Sequence, residues 1–353
     1  MGRVTRSATA KGLSPLAGIV ARRASDTRKD LALDFGNVVS TKRAPRAPIK
    51  FFSHVQQLQP HNSPHLDKAR KLYNLLLSDE NMNTFSMIPQ PGDNVTCFIG
   101  KRIWEVFAPG QMMEGDVMDF LIDDWKKDPV KNADFAFGKR VLLSPYFITV
   151  VLDCTFYGDE NKVFNLKSAA RDFKSYVKDN EDLLSADLTM MPLFKPMILP
   201  NDKKVNHFSL YVMNRYRSSV DILDSLPYPK NHRPLNNTYH KDCEKIISRL
   251  VQVMKVVYGD AQYNASKQPK LEVFAKKPMF VKVPLQAPNE CGNYTLKYAG
   301  CYDGEKIIET IRDNDPRIVD WNAEDLCRVV FNRNNQLLVM ELPKEVQALA
   351  PGA

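Results

Sequence analysis

Cys291 stands directly before Gly292, with Gln286 five residues upstream, in the stretch Pro284-Leu285-Gln286-Ala287-Pro288-Asn289-Glu290-Cys291-Gly292-Asn293-Tyr294. A thiol attacks as the thiolate, so a nucleophilic cysteine needs help in losing its proton. The helix predicted to start at Cys291 offers partial positive charge and free N–H groups. Far upstream lie Asn206-His207-Phe208-Ser209-Leu210 and Asp224-Ser225-Leu226. These residue types match the parts that thiol attack on a carbonyl requires. His207 would form the ion pair and carry the proton, and Asp224 would orient the imidazole and fix its tautomer. Gln286 would donate its amide, with the Cys291 N–H, to the tetrahedral oxyanion, where losing one donor typically costs ~10²–10³ in rate.

Taken singly, each residue is ordinary. A cysteine before a helix is more often buried and inert, a histidine at a strand start is usually structural, and Asp-Ser after a strand is a common turn. Their conjunction carries the signal. Cys301 is a rival thiol, but ten residues along a continuous helix puts it roughly 15 Å away. Cys97, Cys154, Cys243 and Cys327 have no neighbouring glutamine, and neither His232 nor His240 has an acid placed by a hairpin. His61 and His65 are spaced i,i+4, but Pro60 and Pro64 argue against a helix there. The six histidines form no Cys/His cluster with zinc spacing, so no metal site is expected, and thiol chemistry of this kind requires no organic cofactor.

The element that must bring His207 to Asp224 is a predicted β-hairpin. Two β-rich runs, 208–213 and 219–223, flank the polar Asn214-Arg215-Tyr216-Arg217. If those four form the loop, Met213 faces Ser218 and His207 falls directly opposite Asp224. Cross-strand Cβ atoms are then about 4.5–5.5 Å apart. Asp221 falls on the other face in that register, and a one-residue slip in pairing would overturn the assignment. Helices are predicted over 66–78, 115–127, 165–177 and 239–258, each with one apolar face, and from Cys291 with Tyr294 and Tyr298 on one stripe. Residues 141–143, 147–152, 271–274 and 279–283 read as strands. Residues 190–199, broken by Pro192 and Pro196 with Pro200 just beyond, read as winding chain. Short helices are expected over 305–311 and 323–330.

The 353 residues suffice for one large domain or two smaller ones, and no apolar run approaches the ~20 residues that span a bilayer. The first 50 residues carry 11 basic and 3 acidic side chains, the remainder 38 of each, so the basic balance belongs to the tail. That tail is expected to be disordered. Its Arg22-Arg23 and Lys42-Arg43-Ala44-Pro45-Arg46 suit nuclear import or a weak nucleic-acid contact; an organelle transit peptide and a solvated tail without an address stay open. No secretory signal is evident, so the six cysteines are expected reduced in an intracellular, preferentially nuclear, protein.

These motifs resemble those of the ubiquitin-like-protein-specific (SUMO-type) cysteine proteases, which share a fold with the adenovirus protease. The family pattern is His-Trp-Ser-Leu, then Asp-Ser-Leu, then Gln and Asp-Cys-Gly at a helix start. Here the residues are His207-Phe208-Ser209-Leu210, Asp224-Ser225-Leu226, Gln286 and Glu290-Cys291-Gly292. The order His, Asp, Gln, Cys is unlike papain, where the cysteine comes first. A looser match lies at Gly115-Asp116-Val117-Met118-Asp119-Phe120, with Met112 where the family has Trp, and the resemblance spans roughly residues 100–310. Glutamate before the cysteine is similar to the divergent plant-type members.

The resemblance implies an α+β, papain-like or adenain-like domain with a central mixed sheet flanked by helices. It implies His207 as base, Asp224 as orienter, Gln286 as oxyanion donor and Cys291 as nucleophile. The expected organisation is a basic tail (1–50), a helical extension (51–99), a cysteine protease domain (100–335) and a C-terminal tail (336–353). The implied activity is cleavage after the C-terminal Gly-Gly of a SUMO-like modifier, as precursor or conjugate. Partners would be that modifier and its conjugates, with nucleic acid met only through the basic tail and no membrane. Two alternatives stand beside it: a protease-shaped binding module without activity, and an acyltransferase using the same Cys-His-Asp site.

Overall fold

The computed structural model describes residues 64–78, 106–108, 110–127, 140–152, 164–176, 180–198, 204–226, 236–266, 271–274, 276–331 and 344–350. The elements are α1 (Pro64–Ser78), α2 (Gly115–Lys127), β1 (Arg140–Leu142), α3 (Pro145–Leu152), α4 (Leu166–Tyr176), α5 (Asn180–Ser185), β2 (Leu188–Ile198), β3 (Lys204–Asn214) and β4 (Ser219–Leu223). They continue with α6 (Asn236–Tyr258), α7 (Asp260–Ala265), β5 (Pro278–Val281), α8 (Cys291–Cys301), α9 (Ile318–Phe331) and α10 (Lys344–Gln347). Among the described residues the strands form one sheet in the order β1-β2-β3-β4-β5. The outer pairs are parallel and the inner two antiparallel. The chain is therefore α+β with a mixed sheet between helices.

Strand periodicity sorts the core into two. Leu188 and Met190 of β2, Phe208, Leu210 and Val212 of β3, and Leu223 of β4 bury against residues of α1, α2, α8 and α9. Their alternating neighbours Met191, Leu193, Tyr211, Met213, Val220 and Ile222 bury against α3, α4 and α6. The period of two demands this division, because successive side chains leave a strand on opposite faces. Helix α1, in the stretch expected as an extension, packs on α9, where Arg70 makes two hydrogen bonds to the Asp320 carboxylate at 2.8 and 3.0 Å.

Several local expectations are corrected. Residues 190–198 belong to the 11-residue strand β2 despite their prolines, and residue 199 lies outside the described residues. The Met190 carbonyl faces β1, accepting Leu143 N–H at 2.8 Å. Along an antiparallel pairing, residues two and six further on point the same way. Pro192 and Pro196 thus turn their N–H-less nitrogens away from β3, onto a side that the three-residue β1 does not reach. The β-branched run at 147–152 is helical, because Ser144 caps it: its Oγ accepts Phe147 N–H at 3.2 Å, and Pro145 sits in the first turn. Residues 271–273 form a 3₁₀ turn rather than a strand. Residues 305–311 are irregular, since Asp303 Oδ1 takes the N–H groups of Glu305 and Lys306 at 2.7 and 2.8 Å and Gly304 turns at φ 94°.

The hairpin register also differs. Asn214 pairs with Ser219 and Leu210 with Leu223, so the loop is 215–218 and Ser218 takes the left-handed φ of 49°. Asn214 is held in the ladder by its buried amide, which donates to Asp221 Oδ2 at 2.5 Å and to the Gly304 carbonyl at 2.6 Å. Moving a four-residue loop by one residue changes the pairing by two. Face parity therefore survives, and Asp224 lies one diagonal step from His207 instead of directly opposite.

Asp221, fully buried, accepts from Asn214, from Ser219 Oγ at 2.8 Å and from Tyr302 OH at 2.7 Å. Replacing Tyr302 with Phe removes one donor from a buried carboxylate, which should lower unfolding stability by about 1–3 kcal/mol. Urea titration with an unchanged m-value is the check.

Candidate active site

Asp224 follows the last paired residue of β4. Its Oδ1 accepts Leu226 N–H at 3.0 Å, a local turn that fixes the carboxylate as the strand ends. The same oxygen meets His207 Nε2 at 2.7 Å, with the two side chains 1% and 5% exposed. A carboxylate only accepts, so the Nε2 proton lies between them and Nδ1 is left for another partner. The diagonal step across β3 and β4 explains why the far ring nitrogen makes this contact.

Cys291, the first residue of α8, is 1% exposed and lies close enough to His207 to help raise the pKa of its imidazole. Glu290 holds the cap position without capping; its carboxylate turns back to accept Ala287 N–H at 3.1 Å. The first N–H groups of α8 therefore lack a side-chain acceptor at the cap, and the thiol sits where their partial charge is concentrated. Segment 110–114 braces this tip. Asn289, at φ 70°, donates its amide to the Gly110 carbonyl at 2.8 Å. Met113 packs so close to Gly292 that a Cβ there would come within 2.6 Å of Met113 Cβ.

Burial favours a neutral imidazole at His207, yet the Asp224 charge, the hydrogen bond to it and the contact with Cys291 outweigh that and raise its pKa to about 9. The arrangement can thus hold an imidazolium beside a sulfur at neutral pH.

Gln286 is buried and gripped by Ser225: its N–H donates to the Ser225 carbonyl at 2.9 Å, and Ser225 Oγ donates to Gln286 Oε1. The loop that carries Gln286 is tied down on both sides. Tyr298 OH donates to the Pro284 carbonyl at 2.6 Å, while Leu285 N–H donates to Asp313 Oδ1 and Asn314 N–H to the Leu285 carbonyl, both at 2.8 Å. Tyr294 OH accepts Asp315 N–H at 2.7 Å and donates to the Arg312 carbonyl at 3.2 Å. The tyrosine stripe of α8 therefore fixes the loops around the thiol.

One cluster escaped sequence reasoning. Lys195 of β2, 3% exposed and paired in register with His207, forms an ion pair with Asp242 of α6; Tyr211 OH donates to Asp242 at 3.3 Å. Burial, then the Asp242 carboxylate, holds the Tyr211 phenol well above its usual range, and Asp224 adds to this. Lys195 lay in a stretch read as winding chain, so no periodicity flagged it. Ser225 had a signal, its place beside Asp224 in Asp-Ser-Leu, but no chemistry attached to it.

Cys301 closes the far end of α8, and burial pushes its thiol up to about 12; Cys327 is pushed to about 11 by burial, and Cys243 still higher. Cys97, Cys154, His61 and His232 lie outside the described residues, as do the basic tail and the side chains of His65 and His240. Among the described residues no group of three or more His, Cys, Asp or Glu could hold a metal ion, and no helix is long and apolar enough to cross a membrane.

No protein-family model and no curated protein matches this chain. It is similar to solved SUMO protease structures. One is the SUMO protease Ulp1 with its catalytic cysteine oxidised to a sulfinic acid (12% identity, TM-score 0.43, 74% of this chain and 93% of that chain). A second is the C-terminal Ulp1 protease domain in complex with Smt3, the yeast ortholog of SUMO (16%, 0.44, 75% and 94%). A third is a Chaetomium thermophilum Ulp1-like SUMO protease catalytic domain (13%, 0.42, 75% and 88%). These likenesses are weak, and what the site can do follows from its own geometry.

Two outcomes are expected. A Cβ on Gly292 has no space against Met113, so Gly292→Ala should lower stability by about 1–3 kcal/mol, read by urea unfolding. The folded state also holds the His207 proton more tightly than the unfolded chain. Its contribution to stability is complete below about 6.5 and is lost as pH rises through about 9. The His207 ring resonance should titrate near 9 by NMR, and Asp224→Asn should move that midpoint down.

Proposed function

We propose that the protein is a cysteine peptidase that cleaves after the C-terminal Gly-Gly of a ubiquitin-like, SUMO-like modifier. The observation that supports this reading is the 2.7 Å contact of His207 Nε2 with Asp224 Oδ1, with Cys291 at the tip of α8 close enough to raise the pKa of the same imidazole. Cys291 Sγ gives its proton to His207 Nδ1 and adds to the carbonyl carbon of the scissile bond. The oxyanion then forms next to the tip of α8, where the Cys291 N–H and the Gln286 amide serve as donors. His207 passes the proton to the leaving nitrogen, a peptide or lysine amine, and a thioester remains. Water, deprotonated by the same imidazole, opens the thioester and restores the thiol. Asp224 stays ionised throughout and holds the ring.

The near-complete burial of Cys291 supports a slender substrate. A tail of two glycines has no side chains to seat, which suits a thiol that is 1% exposed. The same 1% exposure favours a second reading, a protease-shaped module that binds a modifier without cutting it.

The full chain should be incubated with ubiquitin-like modifiers that carry a C-terminal vinyl sulfone or aldehyde. Covalent labelling is expected with a SUMO-like probe and absent in Cys291→Ala. Asp224→Asn should slow labelling by about 10²–10⁴-fold. Binding of the modifier without labelling in the wild type would establish the second reading instead.

A further inference from the structure

An oxyanion donor is useful only when its N–H groups face the oxyanion. A glutamine amide has nearly identical ends sterically, so hydrogen bonds alone decide which end faces where. We propose that Ser225 is a positioning residue that fixes the Gln286 amide with its carbonyl toward the sheet and its NH₂ free for the oxyanion. This rests on the reading of Gln286 as the oxyanion donor.

Ser225 is 1% exposed and holds Gln286 at two points, through its own carbonyl and through Oγ. With Oε1 taken by the Ser225 hydroxyl, the Gln286 amide nitrogen has no partner among the described residues, although the side chain is only 5% exposed. Ser225 directly follows Asp224, whose carboxylate is locked by Leu226 N–H and His207. One dipeptide thus sets both the imidazole and the oxyanion donor. The hydroxyl hydrogen has one competitor. The Tyr298 phenol also interacts with Ser225, while its own hydrogen goes to the Pro284 carbonyl. Were Ser225 to donate there, Gln286 would have to donate to Ser225 and turn Oε1 toward the developing negative charge. Donation to Gln286 is what keeps the amide in its useful sense.

The test uses the full chain as wild type, Ser225→Ala, Ser225→Thr, Gln286→Ala and the Ser225→Ala/Gln286→Ala double variant. Turnover of a modifier C-terminal amide substrate should fall in kcat by about 10- to 100-fold in Ser225→Ala, with little change in KM. The double variant should be no slower than Gln286→Ala, and Ser225→Thr should restore most of the rate. Alkylation of Cys291 by iodoacetamide passes through no oxyanion and should report an intact thiol and imidazole. The Gln286 side-chain amide signals, identified by their loss in Gln286→Ala, should exchange slowly with water in the wild type and exchange faster, at shifted positions, in Ser225→Ala. A wild type that turns nothing over, with those signals still dependent on Ser225, sinks the peptidase reading and leaves the positioning role standing. Amide signals indifferent to Ser225, or additive losses in the double variant, overturn the positioning role.

Discussion

Asp224 and His207 share a 2.7 Å contact from which water is almost excluded, and much of the surrounding architecture can be read as what that pair requires. An imidazolium taken out of water is costly, and the cost is met only when the counter-charge is close and its remaining lone pairs are satisfied. Leu226 N–H supplies one such bond to the same carboxylate oxygen. Beside it, Lys195 and Tyr211 meet Asp242 of α6 on the face that His207 shares by strand parity. The partly buried Asp242 and the Asp224 carboxylate thus both bear on Tyr211, whose phenol each of them helps to shift upward.

The sheet acts as a partition. Cys291 belongs to one core, packed with Phe208, Leu210 and the tyrosines of α8, whereas Tyr211 and its strand mates belong to the other. A thiol from one side can meet an imidazole from the other only where the sheet ends. His207 sits near the start of β3 and Asp224 just beyond β4. The tip of α8 reaches that end because Gly292 lets Met113 come close and because Asn289 ties the preceding turn to Gly110. The tyrosines of α8 then hold the Gln286 loop and the 312–315 loop, so the helix that carries the thiol also builds its surroundings.

Much of this was legible before any coordinate. The amphipathic helices are those with clean 3.6-residue spacing, such as α1, α2 and α6, whose tertiary contacts ask for nothing that the local pattern does not already prefer. The failures have local causes of a different kind. Prolines in β2 were read as breaks because a single sequence does not show which edge of a strand lacks a neighbour. The β-branched run of α3 resembles a strand by propensity alone, and the Ser144-Pro145 start overrides that preference. The hairpin loop slipped by one residue because Asn214 resembles a turn residue until Asp221 and the Gly304 carbonyl are seen to claim its amide.

The sequence by itself determined the residue types, their order along the chain and the parity that keeps His207 and Asp224 on one face. That parity is robust because any shift of the whole loop moves the pairing in steps of two. Only the tertiary structure decided which imidazole nitrogen meets the carboxylate, that Ser225 grips Gln286 and that Lys195 is buried with Asp242. Those are contacts between residues 17, 61 and 47 positions apart. They are fixed by packing across the two faces of the sheet, which no local spacing encodes.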